Sequence, residues 1–236
     1  MQILKPFLRK AINHADIVVG ISQATVEAAK ALSGRNDVHF LPYGIDVNYY
    51  YPAPKNYAVL EKYHCKDKKV IFFTGRMVER KGHRFVLESM LFVKKKYSDV
   101  KLVLGGNGYL YSHLQELCLK WDLEDVVELP GFIPEDDLVS LFQSTNIFVL
   151  PSCIDKKGDT EGGAALIALE AMACGTPAII SYVGGNIGAI EDGRGAFYFE
   201  SENVEDLAEK ISTLLTDNRL AERMAIQARD YNILIW

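Results

Sequence analysis

The chain has 236 residues, of which 49% are hydrophobic, so it is long and apolar enough to form one large or two modest domains. Its net charge of −5 and its pI near 5.6 argue against a nucleic-acid-binding surface, which needs a high density of basic side chains. The four widely spaced cysteines form no CxxC pair, which predicts no metal site and fits a reducing cytosol. We also find no apolar run long enough to span a membrane and no signal peptide, and we therefore expect a cytoplasmic protein.

Short apolar runs alternate with amphipathic segments along the chain. The predicted strands are residues 16–21, 39–41, 69–74, 100–104, 126–129, 146–150, 177–181 and 196–199. The predicted helices between them are residues 23–32, 82–97, 109–121, 134–143, 163–173 and 204–215. Because strands and helices alternate and the strands are continuously apolar, the pattern predicts an α/β fold, a Rossmann-like, doubly wound parallel sheet covered on both faces.

The first part of the chain differs from the rest. Residues 1–48 contain only two predicted strands, too few for an independent sheet, and we expect them to be the remnant of another Rossmann-like domain that is mostly absent. Residues 49–66 are rich in tyrosine and proline and predict an interdomain linker. Residues 67–236 then form the main domain, and their apolar end suggests truncation.

A basic turn, TGRMVERKG at residues 74–82, joins a buried strand to a helix. Gly75 permits a sharp turn, and Gly82 allows the helix to begin close to a ligand. Arg76 and Lys81 are expected at the carboxyl edge of the sheet, where doubly wound folds bind ligands. An arginine side chain can bind two phosphate oxygens at once, and a lysine adds a point charge. This turn therefore predicts a diphosphate site that needs no metal. The alternative is a solvated basic loop.

A second candidate site lies at residues 161–177, EGGAALIALEAMACGTP, which follow a strand and a polar loop and run into a helix. A helix N-terminus carries unpaired N–H groups and a partial positive charge, so it suits a phosphate or sugar phosphate. Glu161 lies at the mouth of this site and Glu170 two to three turns deeper. The segment therefore predicts a phosphate-and-sugar site with two acceptor carboxylates.

Two other turns follow predicted strands. The turn at Gly105, LGGNG, does not match the G-x-G-x-x-G dinucleotide fingerprint, and we interpret it as a tight turn or a glycine wall of a ligand pocket. The turn containing Phe132 and Ile133 either presents backbone groups and a ring to a nucleobase or forms a hydrophobic staple at a helix start.

Taken together, five ordered motifs resemble the retaining glycosyltransferases of family 4, within the glycosyl transferases group 1, which have the GT-B architecture of two facing Rossmann-like domains. Residues 41–46, LPYGID, resemble the "iPNGvD" segment where that family's chain crosses between domains. Residues 75–82 are similar to its "GRl...KG" loop, 105–108 to "vGdGp", 131–133 to "l.G.v" and 161–177 to "EGfglvllEAmAcGtPvi". The resemblance covers nearly the whole chain, and no single motif carries it.

The resemblance implies a role for each of these residues. Arg76 and Lys81 would hold the nucleotide diphosphate, Glu170 the ribose hydroxyls, and Glu161 would face the donor sugar. The backbone N–H groups of the segment after Glu161 would meet the sugar or phosphate. The remaining donor-binding residues on this interpretation are Gly75, Gly105, Phe132, Ile133, Gly162, Gly163, Ala164 and Ala165.

The implied enzyme is a hexosyltransferase that uses a nucleotide-diphosphate sugar and a glycan or lipid-linked acceptor. It would retain configuration by front-face attack, use no metal or other cofactor, and serve cell-surface polysaccharide synthesis. The domain represented by residues 1–48 would bind the acceptor and allow peripheral association with the inner face of the membrane. Without that domain, we expect this chain alone to be inactive.

The sequence departs from the family pattern at two positions. Eight residues separate Glu161 from Glu170, where the family usually has seven, so the role of Glu161 is the one to test. Tyr43 replaces the usual asparagine of the crossing segment. His14 is expected to be structural, and His83 is expected to be a helix-start residue.

The alternatives are a nucleotide-sugar-binding fragment without turnover, or another GT-B enzyme such as a sugar epimerase. A phosphorylase would need a pyridoxal-phosphate lysine segment, and an NAD-binding protein would need the glycine fingerprint.

Overall fold

The fold is that of a computed structural model, which describes residues 4–161, 166–188 and 190–235. The N-terminal part alternates helix and strand and consists of α1 (Lys5–His14), β1 (Val18–Gly20), α2 (Gln23–Ser33) and β2 (Val38–Phe40). Strands β1 and β2 pair in parallel as a small sheet of their own. Helix α2 is well delimited, because Ser22 forms a capping box with Thr25 at its start and Gly34 ends it in the left-handed conformation.

The main sheet of the described residues has six parallel strands in the order β5-β4-β3-β6-β7-β8. These strands are β3 (Lys69–Thr74), β4 (Val100–Gly105), β5 (Val127–Gly131), β6 (Ile147–Leu150), β7 (Ala178–Ser181) and β8 (Ala196–Phe199). The helices around them are α3 (Tyr57–Lys62), α4 (His83–Val93), α5 (Tyr111–Lys120), α6 (Glu135–Ser144), α7 (Leu166–Ala173), α8 (Val204–Thr216) and α9 (Asn218–Ile235). This architecture confirms the predicted α/β class with a doubly wound parallel sheet.

The core lies at the centre of this sheet, where strands are buried on both faces. The ring of Phe72 on β3 packs 5.6 Å from that of Phe142 on α6 and 6.0 Å from that of Phe148 on β6. Each of these side chains is fully buried, and such burial contributes about 1.5–3 kcal/mol per side chain. The strand ends that carry the candidate site are therefore fixed by a tightly packed centre.

The segment predicted as a linker, residues 49–66, contains helix α3 in its second half. Asn56 begins this helix by accepting hydrogen bonds from the backbone N–H groups of Ala58 and Val59. Val59 and Leu60 are buried in the main core, so this part of the segment packs on the domain that follows it. The first half, including Tyr50, crosses from the small sheet to the main one.

The last helix, α9, was not predicted from the sequence. Its residues Met224 and Ala228 are fully buried against the domain. Arg229 donates hydrogen bonds to the carbonyl oxygens of Val47 at 2.9 Å and Tyr50 at 2.7 Å. Helix α9 thus connects residues 47–50 to the main domain. Among the described residues, no helix is both long and apolar enough to cross a bilayer.

The strand order places a topological switch point beside β3, because β4 lies on one side of it and β6 on the other. The helices that follow β3 and β6 therefore lie on opposite faces of the sheet. In open α/β sheets a crevice forms outside the carboxyl ends of the two strands at such a point. This crevice begins after Thr74 and Leu150, and it brings together two of the predicted motifs.

Candidate functional site

The turns after β3, β4 and β5 form a floor of closely packed glycines at the carboxyl edge of the sheet. The N–H of Gly75 donates to the carbonyl of Gly105 at 3.2 Å, and the N–H of Gly106 donates to that of Gly131 at 2.7 Å. A Cβ atom at Gly106, whose φ is +122°, would overlap the carbonyl oxygen of Gly75. Gly75 and Gly105, both predicted donor-binding residues, therefore lie side by side, and Gly105 is buried.

The structure separates the two apolar residues predicted beside the donor. Phe132 is 71% exposed, so its ring is free to contact a ligand. Ile133 is only 6% exposed, and its side chain packs where a Cβ atom of Gly105 would lie. The side chain of Ile133 is thus part of the packing, and a ligand contact at this position is left to its backbone.

The basic loop after β3 packs directly against the loop after β6. A short 3-10 helix, Glu79–Lys81, is followed by Gly82 with φ +68°, and α4 begins at the next residue. A Cβ atom at Gly82 would overlap the carbonyl oxygen of Pro151, and the N–H of Cys153 donates to the carbonyl of Arg80 at 2.9 Å. The two loops on either side of the switch point therefore form one unit.

Within this unit, Glu161 lies between two cations of the basic loop. The Nζ atom of Lys81 is 3.1 Å from Oε2 of Glu161, and Nη1 of Arg80 forms an ion pair with Oε1. The structure therefore joins Lys81 and Glu161, which were predicted from separate motifs. Arg76 is exposed on the same loop. Arg80 was not predicted as a site residue, although its position beside Lys81 was the available signal.

Electrostatics make the site suited to an anion. Burial lowers the pKa of Lys81 to about 8, and the positive charges of Arg80 and Arg76 act in the same direction. Glu161 supplies the nearby negative charge in the described structure. A bound diphosphate would favour the charged form of Lys81 in the same way, because an opposite charge close to an ammonium group stabilises it.

Glu170 lies on α7 and faces Tyr50, in the segment that leads from the small sheet to α3. Burial raises the pKa of its carboxyl group, and a hydrogen bond with the hydroxyl of Tyr50 acts in the opposite direction. Burial and the charge of Glu170 also raise the pKa of Tyr50. Within the described part of the chain, Glu170 is not an ion-pair partner of Lys81, and its hydrogen-bond partner is a neutral hydroxyl group, that of Tyr50.

The four residues between Glu161 and α7 lie outside the described residues. They are Gly162, Gly163, Ala164 and Ala165. Their predicted contacts with the sugar or phosphate stay predictions, as does the effect of the extra residue in this segment.

Of the two histidines considered from the sequence, His83 lies beneath this cluster, close to the backbone of Gly75 and Gly105. His83 is buried at the start of α4, its ring centroid is 4.6 Å from that of Phe73, and burial lowers its pKa to about 3. His14 lies at the exposed end of α1, where Nδ1 is 2.8 Å from the carbonyl oxygen of Lys10. Both are thus helix-terminal residues. The described residues contain no group of three or more His, Cys, Asp or Glu side chains that could hold a metal ion, and metal independence stays a prediction.

Comparison with known proteins gives related sequences. The family model of glycosyl transferases group 1 matches residues 59–231. The GDP-mannose-dependent alpha-(1-6)-phosphatidylinositol monomannoside mannosyltransferase of Mycolicibacterium smegmatis is 25% identical over 238 residues, covering 100% of this chain and 62% of the relative. The putative glycosyltransferase YtcC of Bacillus subtilis is 31% identical over 204 residues, covering 80% of this chain and 48% of the relative. The chain therefore spans less than two thirds of the length of either relative.

Solved structures show the same fold. Anabaena Alr3699/HepE in complex with UDP and glucose matches with a TM-score of 0.85 and 21% identity, over 98% of this chain and 63% of that structure. Sucrose-phosphate synthase from Thermosynechococcus elongatus matches with a TM-score of 0.81 and 22% identity, over 100% of this chain and 58% of that structure. These likenesses confirm the predicted Rossmann-like, GT-B type of architecture, and the match to the family model confirms the predicted resemblance to the glycosyl transferases group 1. The chain belongs to the glycosyl transferases group 1 family.

Proposed function

We propose that this chain carries the donor-binding site of a hexosyltransferase that uses a nucleotide-diphosphate sugar. The observation that carries the proposal is the cationic loop at the switch point, where Lys81 lies 3.1 Å from Glu161 and Arg76 stands exposed beside it. A basic loop at this edge of a doubly wound sheet fits a phosphate-bearing ligand. The acidic partner in the same cluster fits a ligand that also carries hydroxyl groups.

The chemistry follows from the charge that develops during transfer. When the bond between the sugar and the diphosphate breaks, negative charge grows on the leaving diphosphate. Arg76 and Lys81 would stabilise this charge, because fixed cations act most strongly where charge develops in the transition state. Glu161 would accept hydrogen bonds from the sugar, and Glu170 from the ribose.

The names of related proteins support a nucleotide-sugar donor. The mycobacterial relative is described as GDP-mannose-dependent, and structures of Alr3699/HepE contain UDP, UDP-glucose, or UDP and glucose. Membership of family 4, retention of configuration, metal independence and a glycan or lipid-linked acceptor complete the proposal. A role in cell-surface polysaccharide synthesis at the inner face of the membrane belongs to it as well.

A second candidate function is nucleotide-sugar binding without turnover. The observation that favours it is the small sheet of the N-terminal part, where Ile17 on the approach to β1 is 73% exposed and Val19 and Phe40 are also exposed. Two strands with apolar side chains open to solvent do not form a stable domain alone. Transfer would then need acceptor-binding structure beyond these strands.

Thermal-shift measurements with UDP-, GDP- and ADP-sugars, with magnesium and with EDTA, test the proposal. We expect at least one of these nucleotide sugars to raise the unfolding temperature equally with and without the metal. Failure of all three classes to stabilise the chain would overturn the proposal. Release of nucleoside diphosphate in the presence of oligosaccharide or lipid-linked acceptors then separates a transferase, which releases it, from a binding module, which does not.

A further inference from the structure

Glu161 has a separate cation for each of its carboxylate oxygens. Arg80 pairs with Oε1, and Lys81 lies 3.1 Å from Oε2. The carboxylate is only 20% exposed, and the two cationic side chains are 22% and 21% exposed. The three groups thus form a half-buried cluster in which the charges are close together and only partly screened by water.

In the proposed function, the donor diphosphate and Glu161 compete for the ammonium group of Lys81. Lys81 is expected to hold the donor diphosphate, yet its ammonium group lies against Glu161. If Lys81 turns to the diphosphate and Glu161 has no other cation, a carboxylate remains in a partly dry site without a partner, which is unfavourable. A second cation that stays on Glu161 removes this cost.

Arg80 is held in place beside Glu161 through both its backbone and its side chain. Its carbonyl oxygen accepts a hydrogen bond from the N–H of Cys153 at 2.9 Å, which fixes its backbone against the loop after β6. Its Nε atom lies 3.8 Å from Oδ2 of Asp159, on the same loop as Glu161. The carbonyl of Glu161 is itself held by the N–H of Gly185 at 2.7 Å. The pair of Arg80 and Glu161 is therefore anchored on both sides.

We propose that Arg80 is a positioning residue for donor binding, which holds and neutralises Glu161 so that Lys81 can move from Glu161 to the diphosphate. The inference rests on the proposed function, because it assigns the diphosphate to Lys81. Arg80 itself stays on Glu161 and does not contact the phosphates. Removing Arg80 strengthens the hold of Glu161 on Lys81, and the diphosphate must then compete with the carboxylate.

The test is a double-mutant cycle on the 236-residue chain, with dissociation constants for UDP, GDP and ADP measured by calorimetry. We expect Arg80→Ala to weaken binding of the preferred diphosphate about tenfold, the scale of a lost charged interaction. We expect Glu161→Gln to bind at least as tightly as the wild type, since no carboxylate competes for Lys81. In the E161Q background, the effect of Arg80→Ala should fall below about twofold.

Other results would contradict the inference. An equal loss from Arg80→Ala in both backgrounds would mean that Arg80 contacts the phosphate directly, and no loss in either would leave Arg80 without a role. Binding of none of UDP, GDP and ADP by the wild type would refute the proposed function, and the inference with it. Arg80→Gln repeats the cycle if Arg80→Ala does not fold, and Arg80→Lys should restore part of the affinity.

A matched control separates this effect from a general loss of positive charge. Arg84 lies four residues after Arg80, in the first turn of α4. Its Nε atom is 3.4 Å from Oε2 of Glu88, so its ion-pair partner is Glu88 and not Glu161. Arg84→Ala removes one charge near the site, and its effect should be smaller than twofold at physiological salt because exposed charges are screened. A tenfold loss from Arg84→Ala would show that net charge alone accounts for the effect of Arg80.

Discussion

The Nζ atom of Lys81 lies 3.1 Å from Oε2 of Glu161, so the loop after β3 and the loop after β6 share an ion pair across the switch point of the sheet. Neither loop alone provides a complete ligand site. In the proposed function, the first loop supplies cations for a phosphate, and the second supplies a carboxylate for hydroxyl groups. Their contact defines one place where a molecule that carries both kinds of group can bind.

Donor affinity should depend on pH through Lys81. Burial lowers the pKa of Lys81 to about 8, and the positive charges of Arg80 and Arg76 act in the same direction. The carboxylate of Glu161, 3.1 Å away, favours the charged form of Lys81. The charged form binds the diphosphate, so affinity for UDP or GDP should be constant near pH 7 and fall as the pH rises above 8. Calorimetry at pH 7, 8 and 9 measures this fall.

Lys81→Arg is the control for this prediction, because a guanidinium stays charged over the whole range. Its affinity should be independent of pH, and an identical fall in both proteins would contradict the role of Lys81. The lowered pKa has a consequence for folding as well. Between pH 8 and 10.5 the unfolded state binds more protons at Lys81 than the folded state, so this residue makes the unliganded protein more stable as the pH rises through that window.

Glu170→Gln should impair nucleotide binding and leave free pyrophosphate unaffected. The family resemblance implies that Glu170 binds the ribose, and in the structure Glu170 hydrogen-bonds to Tyr50 and lies outside the ion pairs of Lys81. Loss of the charged acceptor should weaken UDP or GDP binding about tenfold, or about 1.4 kcal/mol. Competition calorimetry with pyrophosphate checks this, and an equal loss for both ligands would show that the ribose assignment is wrong.

Phe132→Ala should weaken nucleotide binding without destabilising the fold. The ring is 71% exposed, so its removal leaves no cavity in the core. If the ring stacks on the nucleobase, the loss should be about 1–3 kcal/mol, as for base stacking on aromatic side chains. Phe92→Ala is the control, because Phe92 is exposed on α4 away from the site. Unchanged affinity of the Phe132 variant would favour the hydrophobic-staple interpretation.

Gly82→Ala should destabilise the fold more than Gly158→Ala. Both glycines have positive φ, +68° and +77°, which costs a side-chain-bearing residue about 1–2 kcal/mol. Only at Gly82 would the new Cβ atom also overlap a backbone atom, the carbonyl oxygen of Pro151. Urea unfolding should therefore give a larger loss for Gly82→Ala, with weaker donor binding as well. Equal losses would contradict the close packing of the two loops.

The strands of the main domain could be predicted well because their hydrophobic pattern decides their structure. Residues 69–74 and 196–199 form strands with the predicted bounds. The first lies in the centre of the main sheet and the second at its edge. The helix expected at 82–97 ends at Val93, where the polar residues that follow form a turn. Apolar spacing locates an element, but its ends depend on capping contacts that spacing does not determine.

Helices α3 and α9 were missed for different reasons. Tyrosines and prolines before α3 suggested a linker, although Asn56 is a strong N-cap residue. In α9 the buried Met224 and Ala228 are four residues apart, a helical spacing that could have been found. The roles predicted for Arg76, Lys81, Glu161 and Glu170 from their residue types stay predictions. The family resemblance implied that these residues surround one ligand, but it did not predict the ion pairs of Arg80 and Lys81 with Glu161. Those pairs depend on how the loops after β3 and β6 pack at the switch point.

Calorimetric titration of UDP-glucose and GDP-mannose into the wild type and the Arg76→Ala/Lys81→Ala double variant tests the proposed donor site most directly. Lost charged hydrogen bonds are worth about 1–3 kcal/mol each, so the two substitutions together should weaken binding of the preferred donor at least about thirtyfold. One nucleotide sugar should bind the wild type at a single saturable site. Equal affinity of the two proteins, or no binding of any nucleotide sugar to the wild type, would contradict a donor site built on this cationic loop.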